Sequence, residues 1–201
     1  MRSIALAALA VFSSPAVAQS SESGVSRDSR EALMDVALCV IEKSPEKAAT
    51  LLQSDFTSKS FHDGLIRLGK DNTSCWKGSG LRGAYGVQFA GAMAEGLLES
   101  GSTDVTVRIR QAKDAGPPVF SPTDAMANCV VRSRPELAAS VFGTSIGSEA
   151  EAVAINALSE TVGKCALDHR VEGKIRDFRY MLATAAYRLV AAHEQQGESN
   201  A

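Results

Sequence analysis

The stretch CVIEKSPEKAA at residues 39–49 returns as CVVRSRPELAA at residues 129–139, 90 positions further on. The match extends well beyond the quoted residues. Ala37, Ser58, Leu68 and Cys75 recur at the same offset as Ala127, Ser148, Leu158 and Cys165, and apolar type is kept at Leu65/Ile155 and Leu52/Phe142. Past the second cysteine the register slips by four, so that LRGAYGVQFAGAM from Leu81 lies against IRDFRYMLATAAY from Ile175. This pattern predicts a duplicated structural unit. Two copies are too few for an open solenoid, so the expected arrangement is a closed pair in which each copy covers the apolar face of the other.

Each copy reads as four helices. In the first, Leu33, Val36, Ala37, Val40 and Ile41 fall at i, i+3, i+4, i+7 and i+8, one apolar stripe over residues 27–43. Ser44-Pro45-Glu46 then restarts the chain, with serine expected to cap, proline suited to the first helical position and glutamate complementing the positive helix end. Ser58 and Ser148 are the expected caps of the third helices, and the fourth should run from about Ser79 to Glu99 and from about Gly173 to Gln195. The fold class is therefore all-α: two tandem homologous four-helix repeats packed about a pseudo-twofold axis.

Four cysteines stand at positions 39, 75, 129 and 165, so that Cys39–Cys75 and Cys129–Cys165 are each separated by 36 residues. Four cysteines allow three pairings, and only this one respects the duplication. No two lie close enough for the knuckle of a structural zinc site. Each repeat is thus expected to be clipped by one disulfide, which for a loop of this length contributes about 4 kcal/mol in the chain-entropy picture.

The N-terminus reads as a secretory signal. Arg2 supplies the positive charge, Ile4–Phe12 an apolar run, and Ala16-Val17-Ala18 the small residues before a cut after Ala18. The run is too short for a spanning helix, which needs about 20 residues. The expected layout is a signal peptide over 1–18, disordered residues over 19–26, a first repeat over 27–100, a connector over 101–121, a second repeat over 122–195 and a disordered tail over 196–201. Within the connector Val105, Val107 and Ile109 alternate with polar residues but have no partner strand, which predicts an extended covering segment or a helix extension. The export signal and paired cysteines point to the bacterial periplasm or beyond. Loss of Arg2 takes the formal net charge from −2 to −3, which argues against nucleic acid as a partner.

Motifs with chemistry in them are sparse. Gly78–Gly83 spells G-x-G-x-x-G, but no strand precedes it. His62, His169 and His193 are not spaced as metal ligands, no metal or cofactor site is expected, and Asp168-His169 is the one neighbouring acid–base pair. Arg82 and Arg176 are kept in both copies at the start of the fourth helix, and Glu46 and Glu136 are kept at the start of the second. The expected role is an ion pair, Arg82 with Glu46 and Arg176 with Glu136; the competing role is the capture of an anionic group. Three functions follow in order: a non-catalytic module that binds a protein or envelope component, a carrier of a small apolar or anionic ligand in a cleft between the repeats, and a hydrolase with an unidentified site.

Overall fold

Residues 27–81, 86–173 and 177–199 are described by the computed structural model, and every regular element among them is helical. The first half contains α1 (Arg27–Lys43), α2 (Pro45–Leu52), α3 (Lys59–Asp71), a 3-10 turn (Thr73–Trp76) and α4 (Val87–Glu99). After it come α5 (Val105–Ala112), α6 (Pro122–Ser133), α7 (Pro135–Phe142), α8 (Glu149–Ala157), α9 (Ser159–Asp168) and α10 (Phe178–Ser199). No helix among the described residues is long and apolar enough to cross a membrane.

Local chemistry sets most of these boundaries. Pro45 and Pro135 each open a helix, as a residue with no N–H and a fixed φ should. Ser58 accepts from the Phe61 amide and Ser148 from the Glu151 amide, so both predicted caps are present. Ser44 is not a cap: its hydroxyl is engaged with Asn72, whose amide nitrogen donates to it at 3.2 Å. Asn72 is buried, and its side chain needs partners more than the exposed start of α2 does.

Other expectations also need correction. The fourth helices begin at Val87 and Phe178 rather than near Ser79 and Gly173. Gly78, Gly80, Gly173 and Asp177 hold left-handed φ values of 80°, 70°, 93° and 56°, which no helix can contain. The third helix of the second half is divided at Leu158, a fully buried residue, so that Cys165 lies on a separate helix, α9. Cys75 falls in the 3-10 turn after α3. Finally, of the two readings of the connector the helical one is nearer, although Val105–Ala112 forms a separate helix, α5, rather than an extension. Asp104 accepts from the amides of Thr106 and Val107, and Ile109 and Ala112 turn inward with helical spacing. The cap and the i, i+3 burial outweigh the alternation of Val105, Val107 and Ile109.

The disulfides are Cys39–Cys75 and Cys129–Cys165, with Cα–Cα distances of 5.7 and 5.9 Å. They tie α1 to the 3-10 turn and α6 to α9. The centre of the molecule is the pair α4 and α10. Phe89, Ala92, Met93, Ala94 and Leu98 on α4 and Tyr180, Leu182, Ala183, Ala186 and Leu189 on α10 are fully buried. α1 packs on α4 and α6 on α10, while α5 lies across α10 and α7. At the crossing of α4 with α10, a β-carbon on Gly91 would stand 2.3 Å from Tyr180 Cβ and 2.5 Å from its Cα. Only glycine allows the two backbones this close.

Candidate functional site

Two arginines of α10, nine residues apart, enter the interior in opposite settings. Arg179 is buried in a cluster that joins four helices. Its Nε donates to both oxygens of Glu95 on α4, at 3.2 and 2.9 Å, and its Nη1 donates to Glu151 of α8 at 3.2 Å. The carbonyls of Phe142 and Thr144 accept from Nη2. Glu151 is gripped from the other side by Arg30 of α1, at 3.1 and 2.6 Å, and by the Gly147 amide at 2.6 Å. Two guanidinium groups and two carboxylates balance in charge. Burial pushes the Glu151 carboxyl up, but the hydrogen bonds from Arg30 and Gly147 and the charges of Arg30 and Arg179 outweigh it and hold the group below its ordinary range. With every Arg179 nitrogen engaged, this cluster is a fastening between α1, α4, α8 and α10.

Arg188 sits among aromatic rings. Its Nη1 donates to Asp124 of α6 at 2.9 Å and its Nη2 to the Pro118 carbonyl at 2.6 Å. The guanidinium lies 4.4 Å from the Phe120 ring centroid and 5.9 Å from that of Phe56. Asp124 also accepts from the Phe120 amide at 3.0 Å, so the carboxylate is neutralised and tied down.

Beside this wall lies a cavity of about 170 Å³. Phe56 and Phe61 line it from the α2–α3 loop and α3, and Val87 and Ala90 from α4. Asp124 and Ala127 line it from α6, and Met181 and Thr184 from α10. Both halves of the chain therefore contribute walls. The polar groups that reach it are few and largely occupied: Thr184 Oγ1 donates to the Tyr180 carbonyl at 2.9 Å, and Ser121 Oγ accepts from the Asp124 amide and shares one hydrogen bond with Thr123 Oγ1. What the cavity offers a ligand is apolar surface, the usual character of a small-molecule site.

The sequence-predicted site residues that the structure describes are not gathered in one place. Glu46 and Glu136 stand exposed in the first turns of α2 and α7, so a pair formed there is a solvent-screened one. Arg82 and Arg176 lie outside the described residues. His62 and His193 are exposed on α3 and α10. His169 shares an open groove with Asp168, Ser121 and Phe120, but among the described residues no hydrogen bond joins its ring to Asp168 or to Ser121. Among them, too, no group of three or more His, Cys, Asp or Glu is placed to hold a metal ion.

Sequence reasoning missed Glu95, Arg179, Asp124 and Glu151. Glu95 had a signal: it is the one charge in FAGAMAEGLL, a segment otherwise apolar or small on every face. A charge there must be paired or it would not be buried. No family model matches the chain, and neither a curated protein nor a solved structure matches it.

Proposed function

We propose that this is an exported, non-catalytic binding module of the periplasm or cell envelope, built from two copies of one helical unit about a pseudo-twofold axis, and that it binds at the seam between the copies. The observation that carries the reading is the apolar cavity whose walls come from α3 and α4 on one side and α6 and α10 on the other. The parallel course of the halves supports the duplication: proline-opened α2 and α7, serine-capped α3 and α8, and the central pair α4 and α10. The two disulfides suit an oxidising compartment. Within each unit the proposed second contact is the ion pair, Arg82 with Glu46 and Arg176 with Glu136.

The test is made on protein recovered from its native envelope. A photoreactive residue at Val87, 54 % exposed at the edge of the cavity, should crosslink a bound component, and the same residue at Leu167, 82 % exposed and outside the cavity lining, should not. Equal labelling at both positions, or none at Val87, rejects the seam as the binding feature. N-terminal sequencing of the same material should begin at Gln19; a chain that still begins at Met1 rejects export by signal cleavage.

A further inference from the structure

We infer that the seam cavity selects an uncharged group the size of one aromatic ring, as a free small molecule or as the end of a larger one. This rests on the seam being the binding feature and adds the class of ligand. Size comes first. Apolar protein cavities of about 150 Å³ hold one benzene, and this one measures about 170 Å³. A whole lipid chain does not fit inside, so a larger ligand leaves its remainder at the rim by Val87 and Thr123, both exposed.

Charge comes second. The charged side chain among the described lining residues is Asp124, and Arg188 already neutralises it at 2.9 Å. A cationic ligand would have to share the Asp124 carboxylate with the Arg188 guanidinium, a like charge fixed beside it by the Pro118 carbonyl and two aromatic rings. An anionic ligand would meet the Asp124 carboxylate, and Ser121 and Thr123, which share one hydrogen bond, would leave it a single hydroxyl proton to set against that charge. Either charge loses its water and meets a like charge beside the one partner it could gain, which is costly. A neutral ring loses nothing by entering. It meets Phe56, Phe61 and Met181, and aromatic edges and a thioether are favourable neighbours for an aromatic face.

The experiment uses the full mature chain and fluorobenzene as the probe, followed by fluorine NMR titration, with benzoate and benzylammonium as competitors of similar shape. Saturable fluorobenzene binding, with each charged analogue at least about tenfold weaker, supports the inference. Ala90→Leu, which fills the cavity, should remove the binding while the melt stays cooperative. If that variant does not fold, Val87→Phe at the exposed rim should weaken binding by about tenfold. Charged analogues that bind as well as fluorobenzene overturn the neutral-ligand class and leave the seam reading in place. Absence of fluorobenzene binding also overturns the inference, and the Val87 crosslink then decides the seam reading separately. Binding unchanged in both variants overturns it as well, by placing the probe elsewhere.

Discussion

Gly91→Ala tests the centre of the fold directly. In an ordinary exposed helix position this change stabilises by about 1 kcal/mol, because alanine is the better helix former. At Gly91 the new methyl would stand 2.3 Å from Tyr180 Cβ, 2.5 Å from its Cα and 2.6 Å from its carbonyl oxygen. Carbon atoms in contact sit about 3.5–4.0 Å apart, so the α10 backbone must retreat by more than about 1 Å. The obstacle is backbone, so no rotamer change relieves it. Overpacking of a core costs about 1–3 kcal/mol, and a forced separation of the two central helices belongs at the upper end. Against the gain in propensity the net expectation is a loss of about 2 kcal/mol, a fall in Tm of about 4–8 °C for a chain of this size. Gly163→Ala on α9 is the control: glycine there is exposed, and nothing lies within 4 Å of the built Cβ. That variant should gain up to about 1 kcal/mol. The assay is thermal and urea unfolding of both variants beside the parent. A Gly91→Ala protein that melts at or above the parent would show that α4 and α10 do not approach this closely at Tyr180.

Other outcomes follow from the buried cluster and the disulfides. Arg179→Met should cost about 3–5 kcal/mol by leaving Glu95 buried without its cation. Adding Glu95→Leu to it should recover a large part of the loss in a double-mutant cycle, and additive losses would show that the two side chains are not coupled. Glu151 carries a pH signature. Its folded carboxyl titrates below its unfolded one, so its contribution is present above the unfolded pKa, about 4.3, and fades as pH falls through the lower folded value. The stability gap between parent and Glu151→Gln, measured by urea unfolding, should therefore narrow below about pH 4; a gap that widens there has the wrong sign for this account. Cys39→Ser should cost about 2–5 kcal/mol and leave Cys75 open to alkylation while Cys165 stays protected. Alkylation of Cys165 in that variant would mean that the bridges cross between the halves.

Much of the helical layout could be read from the chain because its signals are local. A proline after a helix end, a serine three residues before the amide that donates to it and an apolar stripe at 3.6 spacing act within one turn. Pro45, Pro135, Ser58, Ser148 and the stripe from Leu33 to Ile41 all behaved as such signals should. The disulfide pairing was legible for a different reason, since the offset of 90 fixes which cysteines correspond. The failures lie where a long-range partner or a competing local signal decides. Ser44 satisfies every local criterion for a cap, yet a buried Asn72 28 residues away takes its hydroxyl. Val105, Val107 and Ile109 alternate as a strand would, but a strand without a neighbour leaves its ladder groups unpaired, and Asp104 offers a helix start instead.

The site residues show the same division more sharply. Glu95 and Arg179 are 84 residues apart, and Asp124 and Arg188 are 64 apart. No spacing rule connects either pair. What can be read is the demand each charge makes. Glu95 inside FAGAMAEGLL and Arg188 inside YMLATAAYRLVAA each interrupt a run that burial requires to be apolar. A buried charge must find its opposite, and each run belongs to one of the two central helices. The partners of both therefore had to come from helices packed against α4 and α10. The cavity was less visible still. It is made by what Ala90, Ala127 and Thr184 do not fill between Phe56, Phe61 and Met181, and a volume left empty by six small and large side chains from five segments has no signature in any one of them.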